Sequence, residues 1–240
     1  MPSSPARRAF DPLVVAAMVL PTVGAWIYFV VLEGRALARP VYVASKVVQF
    51  SLPVWWWTAL RGGLPRSGLG RGGWRLAAIG LGSGLVLSAG LAALYAGLLR
   101  GSPLLAEAAV RIRQAIGDFR ISGPAGYLAM AAGLSVVHSL LEEAYWRAFV
   151  FQRLSAGLPS ALAVGLGSLA FAAHHLIVVA RYLPPDHFWT LAVPATAAVG
   201  LAGAHWCALF RRTGSLLAPW LSHLVADVTV LSIGYLLVWG

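Results

Sequence analysis

Seven stretches of this sequence run for about 20 residues or more with few charges. They are Leu13 to Leu32, Val41 to Leu60, Trp74 to Leu99, Pro124 to Phe151, Pro159 to Tyr182, Phe188 to Phe210 and Ser215 to Trp239. About 20 apolar residues is the length at which a helix crosses the hydrocarbon layer of a bilayer. In lipid every backbone N–H and C=O must be paired within the segment, and these runs lack the alternation of barrel strands, so each is read as a helix. The expected fold is an all-α polytopic transmembrane helix bundle with about seven spans. Only 11% of residues are charged, against about 25% in an ordinary soluble domain, which excludes a soluble globular protein.

Eighteen Lys and Arg face eight acids. They sit singly or in pairs between apolar runs, which argues against nucleic acid and for membrane topology. With a cytoplasmic N-terminus the inner side carries Arg7, Arg8, Arg61, Arg66, Arg71, Arg75, Arg153, Arg211 and Arg212. The outer side then carries Arg35, Arg39, Arg100, Arg111, Arg113, Arg120 and Arg181, nine against seven. Arg7 and Arg8 before an apolar run imitate a signal peptide, but the run is too long for one, so the first span is expected to be retained. The single Cys207 excludes an internal disulfide framework and a cysteine metal cluster.

Residues 1–123 are expected to hold N-terminal spans and an interfacial segment, and residues 124–240 a catalytic helix core, all within one membrane domain. In the interfacial segment Leu105, Ala109, Ile112, Ile116 and Phe119 share one helical face, and Glu107, Arg111, Gln114 and Asp118 another. Trp55, Trp56 and Trp57 read as part of an aromatic belt. Gly82, Gly84, Gly165 and Gly167 read as helix-packing sites.

The informative residues are ionisable groups inside the apolar runs, because each costs at least about 2.5 to 3.5 kcal/mol at the bilayer centre unless paired or hydrated. The fourth span carries His138, Glu142, Glu143 and Arg147, the fifth His174 and His175, the sixth His205, and the seventh His223 and Asp227. The first half offers only Lys46, read as snorkelling. Such groups on neighbouring spans predict a shared polar cavity. Residues four apart lie on nearly one helical face, so Glu143 can pair with Arg147 and Glu142 falls below His138. Glu142, turned about 100° from Glu143, is then the carboxylate left for chemistry. His174 and His175 are adjacent, and only one of them is expected to point at Glu142.

A carboxylate in a low-dielectric cavity can take a proton from water and give it back, which is general-base hydrolysis. Imidazoles opposite it can hold the water and stabilise a tetrahedral oxyanion. Neither a Gly-x-Ser-x-Gly elbow nor His-Glu-x-x-His is present to compete. Buried Glu and His chains also serve proton relays, so a non-enzymatic carrier, or an immunity protein that only binds its target, stands as a rival.

Glu142-Glu143-Ala144-Tyr145-Trp146-Arg147 fits Glu-Glu-x-x-x-Arg, Phe171-Ala172-Ala173-His174-His175 fits Phe-x-x-x-His, and His223-Leu224-Val225-Ala226-Asp227 fits His-x-x-x-Asn/Asp. In that order, on three membrane helices, they resemble the CPBP intramembrane endopeptidases, a family that includes the type II CAAX prenyl proteases and bacteriocin-processing proteins. The resemblance covers about Pro124 to Tyr235 and includes the lead-in from Thr213 to Pro219. It implies a peptide hydrolase in which Glu142 activates water, His175 helps bind that water, and His223 with Asp227 forms the oxyanion side. Glu143, Arg147 and His138 would support the site. Two departures stand out: prenyl proteases usually carry asparagine at the position of Asp227, and Ala148 replaces a common glycine.

The scheme requires no cofactor. A zinc hydrolase using Glu142, His175 and His223 is the alternative. The expected partners are a membrane-associated protein or peptide substrate and the lipid bilayer, not nucleic acid. The Arg-rich, Ala-, Gly- and Leu-rich composition points to a bacterium of GC-rich genome, hence to the cytoplasmic membrane.

Overall fold

In a computed structural model of the chain, residues 12–61 and 72–240 are described. Arg7, Arg8, Arg66 and Arg71 of the topology argument lie outside them. The described residues form eight helices and no strand. They are α1 (Pro12–Val31), α2 (Ala38–Trp55, continuing through Trp56–Arg61), α3 (Gly73–Leu99), α4 (Pro103–Asp118), α5 (Gly123–Ser155), α6 (Ser160–Tyr182), α7 (Val193–Thr213, entered through short turns from Pro185) and α8 (Leu217–Trp239). Six are long and apolar enough to cross a bilayer: α1, α3, α5, α6, α7 and α8. The chain is therefore a multi-pass membrane protein. Helix α2 is the exception among the seven expected spans. Arg39, Ser45, Lys46, Gln49 and Ser51 dilute its apolar sequence, and only Ala38, Gln49 and Pro53 of Ala38–Trp55 are fully buried.

Contacts at the two ends of the bundle show how the helices run. At one end Arg181, closing α6, pairs with Glu33 after α1 at 2.9 Å. There Tyr28 of α1 lies 4.6 Å from Tyr42 of α2 and 6.4 Å from Phe119 after α4. Tyr127 of α5 meets Trp239 of α8 at 5.2 Å, and Arg113 of α4 donates to the last carbonyls of α8, Leu237 and Val238. A cation at a helix C-terminus both satisfies orphan carbonyls and opposes the helix dipole. At the other end the Arg153 guanidinium sits over Trp56 at 5.2 Å, and Arg211 donates to Ser160. Thus α2 starts beside Tyr28 and finishes beside Arg153.

In helix α4 Ala108 and Ala109 are buried while Glu107, Gln114, Asp118 and the following Phe119 are exposed. The tryptophan cluster departs from the expected belt. Trp55 is half exposed, but Trp56 and Trp57 are buried, Trp56 against Phe149 of α5 at 5.4 Å. The end of α2 packs on the acid-bearing helix, so two of the three rings serve the core instead of the bilayer interface.

Helices α3 and α8 make the closest approach in the bundle. A Cβ added to Gly80 would stand 2.5 Å from the Ala218 carbonyl oxygen, and one added to Gly84 2.9 Å from that of Ser222. The spacing Gly80, Gly84, Ser88 is the small-residue stripe that lets membrane helices touch backbone to backbone. Ser88 completes it by donating to the Val225 carbonyl at 3.1 Å. Gly82 and Gly165 face open space and Gly167 makes only an ordinary contact. Of the four glycines expected to pack, Gly84 alone does so closely.

Candidate active site

Helix α5 is not uniform. Residues Leu134–His138 and Ala144–Phe151 form wide turns of i→i+5 hydrogen bonding, and between them lies one short α-helical segment, Ser139–Glu143. Wide turns inside membrane-length helices recur at functional sites. Here they bracket both glutamates.

The two acids point apart and meet different partners. Glu143, fully buried, places Oε1 3.0 Å from Nη1 of Arg147 and accepts a hydrogen bond from Nδ1 of His223 at 2.8 Å. Arg147 donates from Nη2 to the Gly203 carbonyl at 3.3 Å, and its guanidinium lies over Phe171 at 4.6 Å and Trp206 at 5.1 Å. That arrangement supplies a buried cation with a carboxylate, a carbonyl and two aromatic faces, as burial of a charge demands. Glu142, equally buried, has no Arg or Lys within ion-pair distance among the described residues. It has imidazoles instead: Oε1 is 3.4 Å from Nε2 of His138 and 3.5 Å from Nε2 of His174, and Oε2 is 3.9 Å from Nε2 of His223.

His223 stacks on Trp206 at 4.0 Å with 16° between the rings. Its neighbour Ser222 is fixed by donors from two other helices, Ser83 at 3.0 Å and the Trp206 indole at 3.1 Å. Since Nδ1 donates to Glu143, Nε2 is the nitrogen turned toward Glu142, 3.9 Å from Oε2, and toward Asp227, 3.5 Å from Oδ1. Asp227 is more open than the other acids of the cluster.

His175 carries its proton on a known nitrogen. Nδ1 lies 2.9 Å from the Phe171 carbonyl oxygen, and a carbonyl only accepts, so Nδ1 donates. The neutral ring then presents a lone pair at Nε2. Sequence spacing allowed one of the two adjacent histidines to face Glu142. The structure brings both: Glu142, His174 and His175 each offer a ligand atom within 4.8 Å of the others. The two rings lie 4.0 Å from each other, both within reach of the carboxylate.

His174, Trp206 and Lys46 were not singled out as site residues by sequence. His174 lies flat on Trp146, 5° between planes, with Nδ1 buried and unpartnered. Trp206 is visible in the sequence only as one aromatic residue in a span. His205 takes no part in these contacts, and His187 bonds Thr190 in the turn before α7.

Residues 124–229 match the family described as type II CAAX prenyl endopeptidase Rce1-like. That segment, a little under half of the chain, is similar to the family. Its members are CAAX endopeptidases, that is, peptide hydrolases, and the matched stretch holds every group of the cluster from His138 to Asp227. No curated protein and no solved structure matches the chain.

The donor set can be tested for zinc. His223 is engaged at Nδ1 by Glu143 and faces two carboxylates at Nε2, so the set Glu142, His175 and His223 is not the one whose atoms converge. The converging set is Glu142, His174 and His175, two imidazoles and one carboxylate, the composition of a catalytic zinc site.

Proposed function

We propose that this protein is a glutamic-type intramembrane endopeptidase that hydrolyses a peptide bond of a membrane-associated protein or peptide, in the cytoplasmic membrane of a bacterium. The observation that carries the reading is the unequal treatment of two neighbouring acids. Glu143 is neutralised by Arg147, whereas Glu142 faces only imidazoles and is left to exchange protons.

In this reading water sits between Glu142 and His175. One O–H is donated to the Glu142 carboxylate and the other to the bare Nε2 of His175, which leaves an oxygen lone pair for the scissile carbonyl. As the C–O bond forms, Glu142 takes the proton and the carbonyl becomes an oxyanion. His223, acting as an imidazolium with Nδ1–H on Glu143 and Nε2–H free to donate, and Asp227 lie on the opposite side and donate to that oxyanion. Glu142 then returns its proton to the amide nitrogen as the oxyanion collapses to a carbonyl and the C–N bond breaks, releasing an amine and a carboxylic acid. The chain Arg147, Glu143, His223 sets the ring orientation and holds the proton on Nδ1, as a buried carboxylate does for histidine in other hydrolases.

The test is substitution of the neighbours. Glu142→Gln is nearly isosteric and should lower turnover by about 100- to 10,000-fold with thermal unfolding in detergent unchanged. Glu143→Gln should lower the unfolding temperature as well, because it strands Arg147; breaking a buried pair costs about 3 to 5 kcal/mol. An active Glu142→Gln enzyme removes the general-base assignment.

A second reading, a zinc-dependent protease, draws on the convergence of Glu142, His174 and His175. Zinc there would supply Lewis-acid activation of water. Dialysis against a strong chelator separates the two: under the glutamic reading activity survives and elemental analysis finds no stoichiometric zinc. Loss on chelation with recovery on zinc addition favours the metal.

A further inference from the structure

The two ends of the bundle differ in charge. At the end where Arg181 pairs with Glu33, the turns and α4 carry Glu33, Glu107, Asp118 and Asp186 among their arginines. At the opposite end Arg75, in the first turn of α3, stands with Arg153, Arg211 and Arg212, and no acid lies there among the described residues. Between the end of α5, the start of α6 and the end of α7, that second end holds a cavity of about 440 Å³. Small-molecule sites run from about 300 to 1,000 Å³, so the space is enough for a ligand headgroup.

Its lining is apolar on one side and polar on the other. Phe151 of α5 and Phe210 of α7 are buried, their rings 6.4 Å apart, and with Leu158 they give the apolar wall. Exposed Ser155, Ser160 and Arg211 give the polar one. Arg211 lies in the last turn of α7, where a cation can serve its own helix by meeting the final carbonyls, as Arg113 does for α8. Its guanidinium reaches across to α6 instead and donates to the Ser160 hydroxyl. No carboxylate stands within 4.0 Å of Arg211 among the described residues. Ser160, accepting from Arg211, keeps its own proton to donate. It also opens α6, whose first N–H groups have no side-chain cap, and orphan N–H groups at a helix start favour an anion.

We infer that this cavity binds the phosphate headgroup of an anionic phospholipid from the leaflet at that end of the bundle. Arg211 and Ser160 donate to the phosphate oxygens, and Phe151, Leu158 and Phe210 face the glycerol and the first acyl carbons. Depth favours a lipid over a soluble anion. The span of α6 begins at Ser160 and that of α7 ends at Thr213, so the donors stand at the level where a bilayer carries its phosphates. Basic pockets between spans at a membrane surface are recurrent headgroup sites. A zwitterionic lipid would bring its own cation toward Arg211 and gain less. The site stands apart from the glutamate cluster and does not depend on hydrolysis. Phe151 closes the wide turn Ala144–Phe151 that carries Arg147, so a lipid held between Phe151, Ser160 and Arg211 would tie α5, α6 and α7 together at that end.

The experiment uses the full-length protein in a neutral detergent, with dioleoylphosphatidylglycerol, dioleoylphosphatidylcholine and inorganic phosphate as probes. Native mass spectrometry counts bound lipid, and thermal unfolding reads the shift that each probe brings. The wild type should retain phosphatidylglycerol more tightly than phosphatidylcholine and be stabilised by it. Arg211→Gln should weaken phosphatidylglycerol binding by about ten- to a hundredfold, as loss of a charged hydrogen bond implies. Ser155→Trp, which keeps every charge and fills the cavity, should weaken it as well. Arg212→Gln removes an equal charge from the same end but outside the cavity, and should bind as the wild type does. Each shift is measured against the same variant without lipid, so a variant of lower stability still reports binding. Equal weakening by Arg211→Gln and Arg212→Gln overturns the site in favour of diffuse surface charge. Undiminished binding by Ser155→Trp, equal binding of the two lipids, or stabilisation by inorganic phosphate alone overturns it too.

Discussion

Glu142 and Glu143 are neighbours in sequence, and what divides their roles is which cation each can reach. The arginine four residues on lies under Glu143, and His223 arrives from α8 on the same side, so Glu143 becomes the fixed anion of a chain ending at His223. The other end of that ring faces Asp227, where the sequence departs from the usual asparagine. An ionised aspartate can only accept, and so cannot stabilise an oxyanion. Glu143 already supplies the acceptor that orients His223, so a second ionised carboxylate at Nε2 would compete with the oxyanion for its proton. A neutral donor at this position serves the oxyanion better, so Asp227→Asn should keep most turnover. Asp227→Ala loses a donor and should fall by about 100- to 1,000-fold. Turnover of the three proteins decides the matter: equal loss in Asn and Ala shows that Asp227 works as an acceptor instead.

The α3 to α8 contact sets where His223 stands, because Gly84 touches the Ser222 carbonyl and Ser83 bonds the Ser222 hydroxyl. Gly80→Leu should therefore act at a distance. Its side chain meets the Ala218 backbone, which cannot yield as a side-chain tip can, and overpacking of this kind costs about 1 to 3 kcal/mol. The expected outcome is a lower unfolding temperature with a fall in kcat, whereas Gly82→Leu, which faces open space, should change neither. Here the reach of sequence reasoning is visible. The acid, its arginine and the i, i+4 histidine lie on one helix, and helical spacing alone related them. Gly80 and Gly82 differ in nothing the local sequence records, since only the direction of α8 distinguishes them. The same holds for Lys46, whose partner glutamine is legible three residues on but whose nearness to His138 depends on how α2 packs against α5. It holds too for His174, which reaches Glu142 together with His175 although the two are adjacent.

At the scale of the whole molecule, α2 decides the topology. By composition it is too polar to count as a span, yet it begins beside Tyr28 and ends beside Arg153, at opposite ends of the bundle. Its polar groups explain the mismatch: Lys46 and Gln49 face the protein interior near α5, so the helix can cross the bilayer while carrying residues that a lipid-facing helix would not tolerate. If it crosses, there are seven crossings among the described helices. The turn after α1 then shares a membrane face with the turn after α3, and the turn after α5 lies on the opposite face. If α2 only lies along the surface, the turn after α1 shares its face with the turn after α5 instead. The sequence allows a clean measurement, because its single cysteine, Cys207, is buried. New cysteines at exposed Arg35, Arg100 and Ala156 would be labelled in sealed vesicles with a membrane-impermeant maleimide. Arg35→Cys and Arg100→Cys should react from one face and Ala156→Cys only from the other. Reaction of Arg35→Cys together with Ala156→Cys, and not with Arg100→Cys, would show that α2 does not cross.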